Sequence, residues 1–520
     1  MGLRSQNRFL LFWSFLGAIA ILIIWQLPWR FQVNDDVIMM WLVSGAYTGE
    51  PESFAVFIHP ILSWSFSKLY SFEPNKNWYG GIWFCVIAIS YFLLISQISC
   101  WKTGFWAKSA IALLMLSIAI HFSFFPQFTY VAGFGAFASM SYFFSNGRID
   151  SKSYTTILSL LLFIVSAMIR WESVALMGLG FGVFQLCDLC DSAIRSNPRN
   201  YFLLGCIFLS IVGFKFLFEI NSQYADFLKF NRIRSGVIDH PVFIQKVKEN
   251  VINEGTDFFY FSRWYFEADS PTIQDLIDKK IALNSELWSV KQFKNSLSRL
   301  WIQQKMEAFK SFLIFTFLLF IGLVIKKNPK LLRFFLIWFL VFIIFNHFFL
   351  LQGRVVILFF LCFLFPIFQG YFPSIDGRFS KALATVFLFL ISVHYYNFKK
   401  EANGRLIMDA EFNYLKKSLI KDVPIVMEGF QEHNSEIDYT LNNQVPFLTT
   451  GWISRSPFQR KAMNRFGLKS FNDFNEYYLI TPTNNLEVVF PSYMNFTFGN
   501  FQLIDSTKTD NFNLFHFLRQ

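Results

Sequence analysis

No charged side chain interrupts the chain from Phe9 to Trp29. At a rise of 1.5 Å per residue, a helix of that length is ~31 Å long, enough to cross the hydrocarbon core of a bilayer. Further apolar runs recur as far as residue 396, too long and too uniform for the helices of a water-soluble protein. The composition agrees: 54% of residues are hydrophobic, 16% are charged, and Phe alone supplies 71 of 520. The first run is too long for a cleavable signal, and no small-residue cleavage site follows before Gln32, so it is expected to remain as an anchor.

Eleven spans are expected, at about 9–29, 81–99, 105–125, 128–145, 154–169, 173–187, 201–218, 311–325, 334–351, 355–372 and 382–396. One set of short loops carries Arg4, Arg8, Lys102, Lys108, Arg148, Lys152, Arg195, Arg199, Lys326, Lys327, Lys330, Arg333, Arg378 and Lys381; the short turns opposite carry only Arg170 and Arg354. That asymmetry places the amino terminus in the cytoplasm. It also explains the net charge of +11 without nucleic acid, because the cations sit in orienting loops. Parity then puts 30–80, 219–310 and 397–520 outside.

Within the first outer piece, Phe54–Ser71 is broken by His59-Pro60 and reads as a helix lying on the membrane surface, with Phe54, Phe57, Ile58, Ile61 and Leu62 towards the lipid. The span 128–145 is rich in Gly, Ala and Ser, which lets helices approach closely, so it is expected inside the bundle. The 219–310 segment is charged and helix-forming. Beyond Lys399, short β-like runs at Pro424–Met427, Tyr478–Ile480, Val488–Phe490 and Phe501–Ile504 suggest a small α/β domain. The expected fold is therefore a polytopic α-helical membrane protein, with a transmembrane domain at 1–396 and an extracytoplasmic α/β domain at 397–520. All six cysteines fall in or beside apolar spans, so no structural disulfide is expected. Cys187-x-x-Cys190 lacks the second Cys/His pair that a structural metal site needs.

Few charges fall at mid-membrane depth, which argues against an ion-coupled carrier. The polar residues gather instead at the outer ends of spans. Asp35 and Asp36 follow the first span, either as reacting carboxylates or as caps for the helix that Val37–Val43 suggests. Asp35 is favoured as the reactive group and Asp36 as the cap. His59 sits near the same mouth, as a ligand or as an interfacial histidine. Arg170-Trp171-Glu172 joins two short spans, as a structural ion pair or as part of a binding site. Gln352-Gly353-Arg354 links two others, and the Arg354 guanidinium suits a phosphate oxygen pair or snorkels at the interface. His121, Pro126 and Gln127 read as a satisfied turn.

The stretch Asn34-Asp35-Asp36, Ser44-Gly45-Ala46-Tyr47-Thr48-Gly49 and Phe57-Ile58-His59-Pro60, set in this architecture, resembles the GT-C class of integral-membrane glycosyltransferases and a bacterial subgroup with the same loop pattern. The resemblance covers most of 1–396. It implies transfer of a sugar from a polyprenyl-phosphate donor to a glycan, lipid or protein acceptor, with inversion, on the outer face of a bacterial inner membrane. It also implies Asp35 as general base or ligand of a divalent cation such as Mg or Mn, with Asp36 its neighbour, and His59, Arg170, Glu172, Gln352 and Arg354 on the substrate side. Two rivals stand beside it. In a lipid-linked glycan polymerase or ligase, Arg232, Arg234, His240 and Arg263 of the later outer loop would do the work. In a glycolipid transporter there would be no transfer chemistry.

Overall fold

The computed structural model describes residues 3–145, 154–188, 198–305, 308–371, 377–419, 423–429, 445, 447–485 and 487–520. The basic loop residues Arg148, Lys152 and Arg195, and Cys190 of the Cys-x-x-Cys pair, lie outside them. Helix α1 (Leu3–Trp25) is followed by two short helices, α2 (Asn34–Ser44) and α3 (Pro60–Phe72). Next come α4 (Trp78–Cys100), α5 (Phe105–Phe124), α6 (Phe128–Ser145), α7 (Tyr154–Ile169), α8 (Trp171–Asp188) and α9 (Pro198–Asn221). The second long hydrophilic segment is helical: α10 (Ala225–Ile238), α11 (Pro241–Lys248), α12 (Asp257–Ser262), α13 (Ile273–Leu287) and α14 (Val290–Lys305). The chain then returns through α15 (Ala308–Lys327), α16 (Leu332–Phe348), α17 (Gly353–Cys362) and α18 (Phe365–Phe368) to the long α19 (Gly377–Ser418).

The apolar runs are largely helical, and the protein is a polytopic α-helical membrane protein. Helices α1, α4, α5, α9 and α19 are long and apolar enough to cross a membrane, and α7, α8, α16 and α17 are shorter apolar helices. The run at 355–372 is not one helix. Pro366 has no amide hydrogen to continue the ladder, so α17 stops at Cys362 and α18 restarts with that proline in its first turn. Helix α6 is interior, as its small residues suggest. A Cβ on Gly133 would lie 2.4 Å from Leu358, and one on Gly135 would lie 2.2 Å from the Ser166 hydroxyl. Those approaches let α17 and α7 pack directly on the α6 backbone.

The first outer loop differs from expectation. Helix α3 begins only at Pro60, and Phe54 and Ile58 are buried in the preceding loop rather than facing lipid. The exposed stripe on α3 is Ile61, Trp64 and Phe72, at helical spacing.

The carboxy-terminal domain holds a five-stranded mixed sheet of order β2-β1-β3-β5-β4, formed by β1 (Ile425–Met427), β2 (Phe447–Leu448), β3 (Glu476–Pro482), β4 (Phe501–Lys508) and β5 (Phe512–Arg519). β1 lies parallel to β2 and β3, whereas β5 is antiparallel to β3 and β4. Helices α20 (Pro457–Asn464) and α21 (Phe490–Thr497) complete it. Val488–Phe490 is not a strand. Its amides at Val489 and Phe490 donate to the buried Glu428 carboxylate at 2.8 and 3.3 Å, which opens α21. The boundary expected at 396/397 falls inside α19, which continues unbroken to Ser418.

The three hydrophilic pieces pack together on one side of the bundle. Lys461 of α20 pairs with Glu50 and Glu52 at 2.9 and 2.8 Å, and the Arg465 guanidinium donates to the Tyr47 carbonyl at 2.6 Å. Glu267, buried between α12 and α13, accepts from Arg460 and from the Arg455 amide. The Arg455 guanidinium donates in turn to the carbonyls of Phe266, Ser270 and Pro271. Loss of a buried acceptor strands its donors, whereas loss of an exposed partner does not. Glu267→Ala is therefore expected to destabilise the protein by about 1–3 kcal/mol, and Glu487→Ala, which breaks the exposed pair with Arg263, by less than about 1 kcal/mol. Denaturant titration of the detergent-solubilised protein compares the two.

Candidate active site

Asp35 and Asp36 occupy the first turn of α2, where carboxylates complement the helix dipole. Successive residues on a helix are about 100° apart, so the two side chains leave in different directions. Asp36 is fully buried. It accepts from the Tyr79 hydroxyl and the Trp83 indole, each at 3.0 Å, and from the Phe128 amide at 3.2 and 3.3 Å to its two oxygens. It thus caps α6, not the helix it belongs to, and the Gln127 amide oxygen takes the next free donors, Thr129 at 2.9 Å and Tyr130 at 3.3 Å. Burial pushes the Asp36 carboxyl up to about 7, against the pull of the three donors.

Asp35 points to the open side. Its Oδ2 lies 3.9 Å from Nη1 of Arg354, and both side chains are about one fifth exposed. That separation is an ion pair without a hydrogen bond, so each group keeps capacity for another partner. Arg354 stands in the first turn of α17, the end where a helix dipole disfavours a cation and favours an anion. Gln352, at the N-cap, is exposed and makes no capping hydrogen bond.

Two groups from α10 join this pair. Arg234 is buried. Its Nε and Nη2 donate to Asn231 at 3.0 and 2.8 Å, and its guanidinium lies 5.0 Å above the Trp264 ring. Its Nη1 is buried with no hydrogen-bond partner among the described residues. Burial lowers its pKa to about 10, still protonated at neutral pH, while the charges of Asp239 and Asp35 act on it. Asp239, the C-cap of α10, is solvent-accessible yet ringed by protein, as a side chain on the wall of a recess is. Its carboxyl is raised by burial, and the charges of Arg234, Asp35 and Arg354 all reach it. The constellation is two carboxylates and two guanidinium groups, drawn from α2, α10 and α17.

The other expected site residues have different partners. Arg170 pairs with Glu172 at 3.2 Å and lies over the rings of Phe128 and Phe57 at 5.0 and 5.9 Å. Their charges act on Lys215, which α9 buries beside Glu219 at 3.4 Å. Lys215 donates to the carbonyls of Val56, Phe57 and Ile58 at 3.2–3.3 Å, pinning that turn of the first outer loop. Arg232 reaches Glu219 at 3.3 Å. Among the described residues, no ion pair or hydrogen bond joins this second cluster to Asp35 or Arg354.

His59 is a helix cap: Nδ1 accepts from the Ile61 amide, and Nε2 meets the Ile211 carbonyl at 3.2 Å. Burial lowers its pKa to about 4, so it is neutral with the proton on Nε2. His240-Pro241 repeats the device on α11, with Nδ1 accepting from Val242. Lys215, Glu219 and Asp239 were not singled out from the sequence. The signal for the first two was a pair of charges four residues apart at the end of an apolar run.

A divalent cation finds few ligands here. No three His, Cys, Asp or Glu side chains gather as a metal site among the described residues. Both Asp36 oxygens are committed to protein donors. Two guanidinium groups already supply positive charge beside Asp35, so the residues present do not fit a resident metal and no step is assigned to one.

No family model and no curated protein matches the chain. Two solved structures are similar over nearly its whole length. ArnT from Cupriavidus metallidurans bound to undecaprenyl phosphate aligns over 97% of this chain and 98% of its own, at 11% identity and a TM-score of 0.41. The same protein in the apo state aligns over 97% of each chain, at the same identity and TM-score. A likeness at that level leaves the chemistry to be read from the side chains themselves.

Because the folded state holds the Asp36 proton up to about pH 7 and an unfolded carboxyl releases it near pH 4, the folded state binds more protons in between. Against the opposite slope that the neutral His59 contributes, Asp36 gives stability a downward slope as pH rises from about 4 to about 7. Asp36→Asn removes that slope while lowering stability overall, and thermal unfolding in detergent across this range reads both effects.

Proposed function

We propose that the protein is a membrane glycosyltransferase that moves a sugar from a polyprenyl-phosphate donor to an acceptor hydroxyl, with inversion, at the outer face of the bacterial inner membrane. Asp35 poised at 3.9 Å from Arg354, with the charge of Asp35 also reaching the buried Arg234, is the observation that carries this reading. The donor class comes from the resemblance of the first outer loop to the GT-C class, and the orientation comes from the basic loops.

In this reading the donor phosphate takes Arg354, a planar donor suited to its oxygens, while the buried Arg234 adds positive charge behind it. Drawing Arg354 towards phosphate releases Asp35 from its counter-ion and leaves its oxygens free for the acceptor hydroxyl. The acceptor oxygen attacks the anomeric carbon, its proton passes to Asp35, and the sugar–phosphate bond breaks. The electron pair leaves with the phosphate, where the two guanidinium groups stabilise the added charge. Asp36 does not react: it holds α2 against α6 so that Asp35 faces the reacting centre. Arg170, Glu172 and His59 support the loop around the site rather than touching the phosphate. Of the four residues in the ligase reading, Arg232, His240 and Arg263 are held by Glu219, Asn284 and Glu487, which leaves Arg234 alone at the site.

The test uses the full-length protein in proteoliposomes, a panel of polyprenyl-phosphate sugars, and envelope glycan and lipid fractions as acceptors. Release of polyprenyl phosphate is the readout. Asp35→Asn is expected to lower turnover about 10²–10⁴-fold while leaving donor-induced thermal stabilisation intact. Release at the wild-type rate in that variant would return the ligase reading, and lipid movement without release would return the transporter. Arg354→Ala is expected to lower turnover about 10²–10³-fold and to weaken donor binding as well. Chelation with EDTA is expected to leave turnover unchanged.

A further inference from the structure

Helix α14 is built inside out. Its polar side faces the protein: Gln292 and Ser296 are buried, Asn295 donates to Gln245 at 2.7 Å, and Arg299 donates to the Asn346 carbonyl at 2.7 Å. The Asn346 amide returns a bond to the Ser296 carbonyl at 2.8 Å. Its apolar side faces away: Val290, Phe293, Leu297 and Trp301, at spacings of three, four and four, are 40–72% exposed, and Trp288 just before the helix is 78% exposed. A helix on a water-washed surface shows the opposite arrangement.

The surroundings say what covers this face. Helix α14 rests on the last turn of α16, where Phe293 packs on His347 at 5.8 Å and Trp288 on Phe348 at 5.3 Å. Below that turn, Leu336, Ile337, Phe339, Leu340 and Ile344 of α16 are exposed and apolar, a lipid-facing wall that runs up to α14. Helix α15, one of the expected spans, begins at Ala308, three residues beyond the end of α14. Lys291 and Lys294 flank the apolar stripe, and tryptophans stand near both ends, the pattern of a helix lying at a headgroup boundary.

We propose that the apolar face of α14 is embedded in the outer headgroup–acyl boundary of the bilayer that holds the chain's own spans. The bilayer thereby becomes a structural partner of the second outer segment. Helix α14 is tied to α11 by the Asn295–Gln245 bond, and Lys291 reaches Glu249 at 3.8 Å. Lys246 of α11 pairs with Glu286 of α13. The lipid surface thus holds the helical layer that carries Arg234 and Asp239, whatever reaction those residues serve.

Nitroxide labels on cysteines introduced singly at Val290, Phe293, Leu297 and Trp301 test this in proteoliposomes, with Ser298→Cys and Asp278→Cys as exposed polar references. The ratio of collision with oxygen to collision with a nickel chelate is expected to be severalfold higher at the four apolar positions than at the references. The substitutions alter only exposed side chains, and size-exclusion profiles check that the fold is kept. Equal, nickel-accessible behaviour at all six positions would overturn the proposal. So would low access to both reagents at the four positions, which would mean that a protein surface covers them.

Discussion

One buried carboxylate organises the mouth of the bundle. Asp36 gathers a phenol, an indole and a backbone amide from α4 and α6, and those contacts fix the rotation of α2 about its axis. Once Asp36 is turned inward, helical geometry sends Asp35 towards the opening where α17 and α10 bring their arginines. Glu428 does the same for α21 in the sheet domain, where a carboxylate from a distant stretch satisfies the first amides of a helix. In both places a short acidic side chain stands in for the missing previous turn, and the register between two elements follows from it.

The site is assembled from elements far apart in the chain, and the interlocked outer pieces explain how it stays assembled. The first loop is held by Lys215 from below and by Arg465 and Lys461 from above. The α10–α13 layer is held by Glu267 against the sheet domain. Each bond is modest, but most are buried or shared by several acceptors, so no outer piece is free to drift from the others. Preorganisation of this kind is what charge stabilisation at a phosphate requires, because the donors must be in place before the charge develops.

The membrane architecture was legible because a run of about twenty uncharged residues has few other outcomes in a folded chain. The roles of the two aspartates were only half legible. Capping was a sound expectation for Asp36, but the helix it caps begins at Phe128, and nothing local to residue 36 announces Tyr79, Trp83 or Phe128 as its donors. Arg354 was picked out by being a lone cation in a tight turn, and it does meet Asp35. Arg234 was read as part of a rival reaction because its loop lies two hundred residues from Asp35, and only tertiary folding brings them together. The capping role of His59 has a local reason: the following proline and the start of α3 recruit its ring. The segment that holds α14 was legible only as charged and helix-forming, and periodicity alone cannot say which face of such a helix meets the protein.

Helix α19 runs without a break from the bundle to the sheet domain. Along the way it grips the first loop twice, through Glu401 with Arg30 at 2.6 Å and Arg405 with the Pro28 carbonyl at 2.6 Å, and then Glu411 receives Asn511 at 2.6 Å. A rod held at several points along its length is sensitive to phase. Adding or removing one residue between Arg405 and Glu411 would swing the far grip by about 100°, whereas seven residues would bring it back to within ~20°. The distance between membrane and sheet is therefore free to change only in jumps close to whole numbers of turns, such as seven or eleven residues, so length variation here is expected to be stepped rather than gradual.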